Sequence, residues 1–445
     1  MSACWTSSGS GGLVTHALIV HWFGLPQRPM PFHSAVLCVA RAPGPRPWRA
    51  APRGGLAACG AAAALLAKRR GHRAQRCAVS RAALGQASLE VARSGLVDLG
   101  LPPKELRASS VLPAGQAFQW FPVGFPGGGG EATKDGGIGR DGGWVGALGR
   151  HVLYIEQTPE TTLAACLNSD DRAWEPELRE YLNANVSVAG LYRDWAAADP
   201  RIAAIAAALP GIRVLRQDPV ECLFSFICSS NNNIKRIQLM LSRLRRSFGD
   251  HLGVFHLPST AVAAIPALQA LRAEAMEVPD VPTPELTPVH FFAFPSSERL
   301  AAVEEEQLRG LGFGFRAKWV AGAAAALHER GGRRWLLSLR GRPYAEVRAA
   351  LMELPGVGPK VADCVALYCL EQPDCVPVDV HVWRVACRDY DEDGEFQAAT
   401  LTPKLSRRVS SRFQTLFGSH AGWAQCLIFA AELPMLRDSL QRAAA

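Results

Sequence analysis

Two ionisable side chains of opposite charge, Lys360 and Asp379, stand 19 residues apart near the end of the chain, each at a predicted helix start. A lysine is a nucleophile when neutral, and its unperturbed pKa is about 10.4. Burial and a helix N-terminus lower that pKa, whereas a nearby carboxylate raises it. A carboxylate beside a sugar also stabilises the positive charge that develops as a glycosidic bond breaks. The residues alone equally allow a solvated or phosphate-binding Lys360 and an Asp379 that caps a helix.

The turn before Lys360 could hold a phosphate. Residues 354–360 read Leu-Pro-Gly-Val-Gly-Pro-Lys and join helical patterns at 344–353 and 360–370. Gly356 and Gly358 permit a tight turn with outward-pointing N–H groups, which bind phosphate well at a helix N-terminus. Such contacts hold a DNA backbone without reading its sequence. An ordinary helix–helix corner is the alternative interpretation.

The elements that must position these residues fall into two predicted domains. Short apolar alternations between Gly-rich turns predict a β-rich domain over 105–198. From 199 to 435 apolar residues recur at helical spacing. Within that part, residues 273–298 are rich in Pro, Glu and Thr and are predicted to be a surface loop or insertion, and 436–445 a tail. The predicted fold class is α+β, an antiparallel β-region with helices followed by a mainly helical body.

Residues 1–104 are predicted to be a basic targeting or disordered segment. Residues 1–89 contain 11 of the 48 Lys and Arg and no Asp or Glu, which leaves 37 basic against 40 acidic residues elsewhere. The formal charge of +8 is therefore no evidence for DNA binding by the folded part. The segment is typical of a mitochondrial or plastid transit peptide, and a nuclear basic tail is the alternative. Its apolar pieces are shorter than the roughly 20 residues that span a bilayer, so we expect no membrane contact.

Longer stretches carry a family resemblance. The hairpin is followed by Val-Asp-Val-His at 378–381, residues 217–234 read Gln-Asp-Pro-Val-Glu-Cys-Leu-Phe-Ser-Phe-Ile-Cys-Ser-Ser-Asn-Asn-Asn-Ile, 360–364 read Lys-Val-Ala-Asp-Cys, and 421–425 read Ala-Gly-Trp-Ala-Gln. Over about 105–435 the chain resembles the 8-oxoguanine DNA glycosylase/AP lyases of the helix-hairpin-helix DNA glycosylase superfamily.

The resemblance implies a bifunctional base-excision repair enzyme that acts on damaged double-stranded DNA as a monomer, with no cofactor and no metal. Lys360 would attack C1′ of a flipped nucleotide and expel 8-oxoguanine that was paired with cytosine. The resulting Schiff base would allow strand cleavage by β-elimination. Asp379 would stabilise the charge that develops on the sugar.

The resemblance also implies a base pocket formed by Gly115, Cys364, Pro377, Gln425 and Phe429. The Gly115 carbonyl would accept a hydrogen bond from the N7–H that 8-oxoguanine carries and guanine lacks. Gln425 and Phe429, four residues apart on one helix face, would bind and stack on the base. Without the resemblance, Gly115 would be interpreted as a turn glycine, and Cys364 and Phe429 as core residues.

Further DNA contacts are implied for Asn231, Arg236, Phe315, Arg316, Gly356, Gly358, Val361 and His381. The asparagine and the two arginines would contact the cytosine, and the phenylalanine would be a wedge beside the gap. The hairpin residues and the histidine would bind phosphates. Turn chemistry is the alternative for the asparagine run, and a solvated face for the arginines.

Four positions differ from the family's usual residue: Phe315 replaces Tyr, Gln119 replaces Arg, Glu432 replaces Asp and Pro359 replaces Thr. These differences bear on rate and affinity more than on the type of reaction.

Two alternative functions remain at this stage. An endonuclease III-like glycosylase for other oxidised bases would share the hairpin lysine, but that group usually carries four C-terminal cysteines on an iron–sulfur cluster. After Cys387 this chain has Cys426 alone, which excludes such a cluster. A non-catalytic hairpin module would bind DNA without chemistry. The joint presence of Lys360, Asp379 and Gln425 argues against it, as does the near-neutral charge outside the N-terminal segment.

Overall fold

The computed structural model describes residues 95–124, 142–273, 285–434 and 436, all within one compact unit. Residues 1–94 of the predicted targeting segment and most of the Gly-rich loop after residue 124 lie outside these ranges. Residues 95–104 lie inside them and include the strand Val97–Asp98, so the prediction of a targeting or disordered segment is wrong for these residues. Within them, no helix is long and apolar enough to cross a membrane. The described ranges also contain no group of three or more His, Cys, Asp or Glu placed to hold a metal ion. Their cysteines are free thiols.

A five-stranded antiparallel sheet forms the N-terminal part, with strand order β1-β5-β4-β3-β2. Its strands are β1 Val97–Asp98, β2 Trp120–Pro122, β3 Trp144–Leu148, β4 His151–Gln157 and β5 Thr162–Cys166. Helices α1 Ala108–Val111 and α2 Trp174–Tyr181 pack with one face of this sheet. Gly146 of β3 pairs with Trp120 of β2, and a Cβ there would lie 2.6 Å from the Trp120 ring. The absence of a side chain at Gly146 therefore makes room for the buried indole.

The rest of the chain is mainly helical. Its helices are α3 Val188–Ala198, α4 Pro200–Ala208, α5 Pro219–Ser229, α6 Ile234–Phe248, α7 Ser259–Ala264, α8 Pro266–Gln269, α9 Ser297–Ala301, α10 Glu305–Gly310, α11 Arg316–Glu329, α12 Gly332–Leu337, α13 Tyr344–Met352, α14 Pro359–Cys369, α15 Val380–Asp389, α16 Pro403–Phe417 and α17 Ala421–Glu432. Asp218 caps α5 as predicted, because its carboxylate accepts from the N–H groups of Val220 and Glu221. One continuous apolar core joins most of these helices.

A second, two-stranded antiparallel sheet corrects the prediction for 273–298. Strand β6 His251–Pro258 pairs with β7 Leu286–Phe292, so the interpretation as a surface loop is wrong for the residues of β7. The abundant Pro and Thr concealed an alternation in which Val289 and Phe291 are buried. These side chains share a core with the five-stranded sheet, so packing crosses the boundary that we predicted near residue 199.

One buried cation ties together segments that are distant in sequence. The Arg213 guanidinium is 1% exposed and donates to the carbonyl oxygens of Glu105 at 2.8 Å, Leu182 at 2.7 Å and Asn183 at 2.9 Å. Burial is the main effect on the pKa of Arg213, lowering it to about 10, while the Glu105 carboxylate opposes the shift. Arg213 therefore satisfies carbonyl groups that would otherwise be buried without a donor.

Replacing Arg213 tests this function. Arg213→Leu leaves these carbonyls without donors and the Glu105 carboxylate without its cation, so we expect the free energy of unfolding to fall by about 3–5 kcal/mol. Urea denaturation measures the loss. Arg216→Leu is the control, since Arg216 forms partly exposed ion pairs with Glu180 and Glu371 and should cost less than about 1 kcal/mol. Equal losses in the two variants would contradict the interpretation.

Candidate active site

The hairpin between α13 and α14 has the predicted tight turn. Gly356 has φ +76°, and a Cβ at this position would lie 2.5 Å from the Trp319 Cβ. Glycine is therefore required at Gly356 both by its backbone conformation and by its neighbour. Gly358 precedes α14 in an extended conformation, and no described atom lies within 4 Å of where its Cβ would be. The backbone at Gly358 is thus open to the approach of a phosphate.

A buried carboxylate, Asp363, fastens the two hairpin helices to each other. It lies on α14 and accepts hydrogen bonds from the Tyr344 hydroxyl at 2.6 Å and Arg348 Nε at 2.9 Å, both on α13. Burial raises the pKa of Asp363, and the two donors partly oppose that shift. Sequence reasoning did not single out this residue, although a carboxylate inside an apolar helix stripe is a usable signal of a buried partner.

Lys360 lies half-buried in the first turn of α14. Its Nζ is 5.3 Å from the centre of the Phe226 ring, and Cys364 lies one turn further along α14. Burial lowers the pKa of Lys360, but Cys364 and Asp379 raise it, and the net direction is upward. The effect of burial on the pKa of Lys360 is smaller than the opposing effects, so the Lys360 side chain is an ammonium in the absence of DNA.

Asp379 is the N-cap of α15. Its Oδ1 accepts from the N–H groups of His381 at 2.9 Å and Val382 at 3.0 Å, which confirms the capping interpretation. The same carboxylate acts electrostatically on Lys360. Capping and charge placement are therefore compatible, because one carboxylate both caps α15 and raises the pKa of Lys360.

The side chains predicted for the base pocket come from helix α14, helix α17 and the segment before α15. Cys364 of α14 and Gln425 of α17 are 2% and 4% exposed, and Pro377 is also buried. Burial raises the pKa of Cys364 to about 11, so its thiol is neutral near pH 7. Phe429 is half-buried, and its ring centre lies 6.4 Å from that of His381 in an edge-to-face arrangement. A base that contacted Cys364 or Gln425 would therefore be shielded from solvent.

Gly115 lies in a turn of the N-terminal part. Its φ of +80° confirms the turn-glycine interpretation, and a Cβ would lie 3.3 Å from Ile234 Cδ1. Ile234 begins α6 directly after the asparagine run, so the Gly115 turn contacts the predicted cytosine-reading region. The function predicted for its carbonyl stays a prediction.

The structure brings together most of the residues predicted to face the cytosine. Arg316 is 1% exposed and donates to the carbonyl oxygens of Ser230 at 3.0 Å and Asn231 at 2.7 Å, so the solvated-face alternative is wrong for it. Its Cζ lies 4.3 Å from the centre of the Phe315 ring, which is 49% exposed as a wedge must be. Arg236 is exposed in the first turn of α6.

Trp319 is a contact that sequence reasoning missed. Its ring is edge-to-face with Phe315 at 5.1 Å, and its Cβ lies against Gly356. A single side chain therefore links the exposed wedge to the hairpin turn. An aromatic residue one helical turn after a predicted wedge is the only sequence signal for this contact.

Comparison with known proteins agrees with this architecture. Residues 98–223 match the family model "8-oxoguanine DNA glycosylase, N-terminal domain", and 224–410 match "HhH-GPD superfamily base excision DNA repair protein". The fold and the hairpin site thus define a base-excision glycosylase of the HhH-GPD superfamily. The solved structures of MBOgg1 with a low-affinity DNA ligand and of the Clostridium acetobutylicum 8-oxoguanine glycosylase/lyase in its apo form share the fold, with TM-scores of 0.57 and 0.54 at 24% and 21% identity. They cover 75% and 74% of this chain and 93% of each of those chains.

Sequence relatives specify the family. The Arabidopsis thaliana N-glycosylase/DNA lyase OGG1 is 39% identical over 348 residues, which is 77% of this chain and 82% of the relative. The Saccharomyces cerevisiae N-glycosylase/DNA lyase is 31% identical over 378 residues, 75% of this chain and 85% of the relative. The chain belongs to the 8-oxoguanine DNA glycosylase family. The predicted α+β fold, the family and the bifunctional glycosylase/lyase class are confirmed.

The two hairpin glycines provide a matched test of the turn. Gly356→Ala forces a side chain into a left-handed conformation and against Trp319, so we expect the free energy of unfolding to fall by about 1–3 kcal/mol. Gly358→Ala has neither problem and should cost less than about 1 kcal/mol. Urea denaturation of both variants decides the matter. A Gly358 variant as unstable as the Gly356 variant would show that the turn geometry is not the cause.

Proposed function

We propose that this enzyme removes 8-oxoguanine paired with cytosine from double-stranded DNA and then cleaves the strand, acting as a monomer with Lys360 as its nucleophile. The observation that carries the proposal is the placement of the Lys360 amine, directly behind the hairpin turn and under the electrostatic influence of Asp379. A phosphate held at the hairpin would bring the adjoining sugar towards the amine. The relatives named N-glycosylase/DNA lyase support the same reaction.

The chemistry follows from these groups. The neutral amine of Lys360 bonds to C1′ while the C1′–N9 bond breaks, and the oxidised base leaves with the bonding electrons and takes up a proton. Asp379 stabilises the positive charge that passes through the sugar. Ring opening and loss of a proton from nitrogen give the Schiff base. Removal of a C2′ proton then breaks the C3′–O bond and releases the 3′ phosphate.

Recognition of DNA is divided among rigid surfaces in this proposal. The hairpin amides and His381 bind phosphates, and Phe315 fills the gap left by the flipped nucleotide. Asn231 and Arg316, which the structure holds together, face the cytosine, with Arg236 at the edge. A solved Clostridium acetobutylicum 8-oxoguanine glycosylase/lyase in complex with double-stranded DNA containing cytosine opposite 8-oxoguanine supports this arrangement at the level of the fold.

Borohydride trapping tests the nucleophile. The wild-type chain on a duplex with one 8-oxoguanine opposite cytosine should give a covalent protein–DNA adduct after reduction, because the Schiff base is reduced to a stable amine. Lys360→Gln should give none, while Lys318→Gln, which changes an exposed lysine of α11, should trap like wild type. An adduct with the Lys360 variant would assign the reaction to another amine.

Asp379→Asn separates the charge of this residue from its capping function, since Asn also caps helices well. Lysine is neutral above its pKa, so the wild-type excision rate should rise with pH. Asp379 raises the pKa of Lys360, so its neutralisation should move the midpoint of that rise to lower pH. The maximal single-turnover rate should fall by about 10²-fold, because the sugar cation loses its stabilising charge. A slower enzyme with an unmoved midpoint would show that Asp379 does not influence Lys360.

A further inference from the structure

Two buried glutamines, Gln116 and Gln217, join the Gly115 turn to the helix that carries Lys360. Each is 3% exposed. Gln217 Nε2 donates to the Gln116 carbonyl oxygen at 2.6 Å, and the Gln217 backbone N–H donates to the Tyr368 carbonyl oxygen of α14 at 2.8 Å. One residue therefore spans the distance between the N-terminal turn and the catalytic helix.

The turn is also held from its other side. The Gln116 side chain donates from Nε2 to the Arg213 carbonyl oxygen at 2.9 Å and accepts at Oε1 from the Leu215 N–H at 3.0 Å. Both the main chain and the side chain that follow Gly115 are thus bound to segment 213–217. Ile234 packs against Gly115 itself. The residue that follows Gly115 is thus held at both its carbonyl and its side chain, which restricts the movement of the Gly115 turn.

The Tyr368 end of the connection is equally well defined. The Tyr368 ring stacks on the Phe226 ring, with centres 5.2 Å apart and planes 9° apart. The Lys360 Nζ lies 5.3 Å from the centre of the same Phe226 ring. The Tyr368 hydroxyl contacts Cys426 Sγ of α17 at 3.3 Å. Gln217 is therefore bound to a part of α14 whose position relative to the Lys360 amine is fixed by packing.

We propose that Gln217 is a positioning residue that sets the discrimination between 8-oxoguanine and guanine, an inference that rests on the proposed function. A single carbonyl acceptor separates the two bases only if its oxygen is held where the N7–H of a flipped base arrives. Gln217 holds the Gly115 turn at a fixed position relative to α14. The distance and orientation of the Gly115 carbonyl relative to the Lys360 amine are therefore kept constant. Selection of the base and attack on its sugar are thereby coupled through one amide side chain.

A second buried glutamine offers a matched control. Gln119 is 5% exposed, accepts from the Phe118 N–H at 3.1 Å and donates to the Tyr181 hydroxyl at 3.2 Å. Both hydrogen-bond partners, Phe118 and Tyr181, lie in the N-terminal part, and among the described residues no partner of Gln119 belongs to α14. Gln119→Met therefore removes a comparable buried amide without touching the connection to the catalytic helix.

The experiment measures binding without chemistry, in the Lys360→Gln background of the full chain. Dissociation constants are determined for duplexes with 8-oxoguanine or guanine opposite cytosine, and their ratio is the discrimination. Gln217→Met should reduce this ratio by about tenfold. The Gln116 carbonyl loses its donor, and the Gly115 turn is no longer held at a fixed position relative to α14. Gln119→Met should leave the ratio as in the parent, even if its melting temperature falls by a similar amount.

An unchanged ratio in a folded Gln217→Met variant overturns the inference, and so does an equal loss in the Gln119 variant, which would indicate general loosening. If Gln217→Met does not fold, Gln217→Asn gives the answer, because its amide is too short to reach the Gln116 carbonyl but keeps the site polar. A parent that binds both duplexes equally overturns the proposed function, and the inference with it. Borohydride trapping on an abasic-site duplex is measured separately with variants that retain Lys360. It shows whether Lys360 still forms the Schiff base in each variant.

Discussion

The balance of charge around the Lys360 amine is the constraint on which the site depends. Burial favours the neutral form of this amine, whereas the Asp379 carboxylate favours the ammonium, and the pKa of Lys360 is raised overall. In the proposed reaction the same Asp379 carboxylate, which raises the pKa of Lys360, would stabilise the positive charge on the sugar.

Positions around this amine are set largely by buried donors bound to backbone carbonyls. Arg213 holds three carbonyls of the N-terminal part, Arg316 holds the asparagine run, and Gln217 holds the Gly115 turn. Loops otherwise have the freedom of flexible surface segments. Because these carbonyls are buried or partly buried, breaking their bonds is costly, and the loops that carry them are held more rigidly.

The residues predicted to contact DNA are connected by packing to the helix that carries Lys360. Phe315 packs on Trp319, which touches Gly356, and the hairpin helices are bound to each other through Asp363. A displacement of Phe315 therefore reaches the hairpin through side chains in van der Waals contact. This continuity gives a physical reason for glycine at position 356 beyond its backbone conformation.

Local sequence determined much of this protein. Helix starts such as Asp218, the hairpin turn and the lysine–carboxylate pair depend on interactions between residues close in the chain, so their patterns could be interpreted directly. The family resemblance supplied the fold class and the reaction. Tertiary structure decided the rest: that β7 pairs with β6 despite Pro288 within it, that Arg316 is buried, and that the pKa of Lys360 is raised. Each of these depends on which distant residues become neighbours, and no short stretch of sequence contains that information.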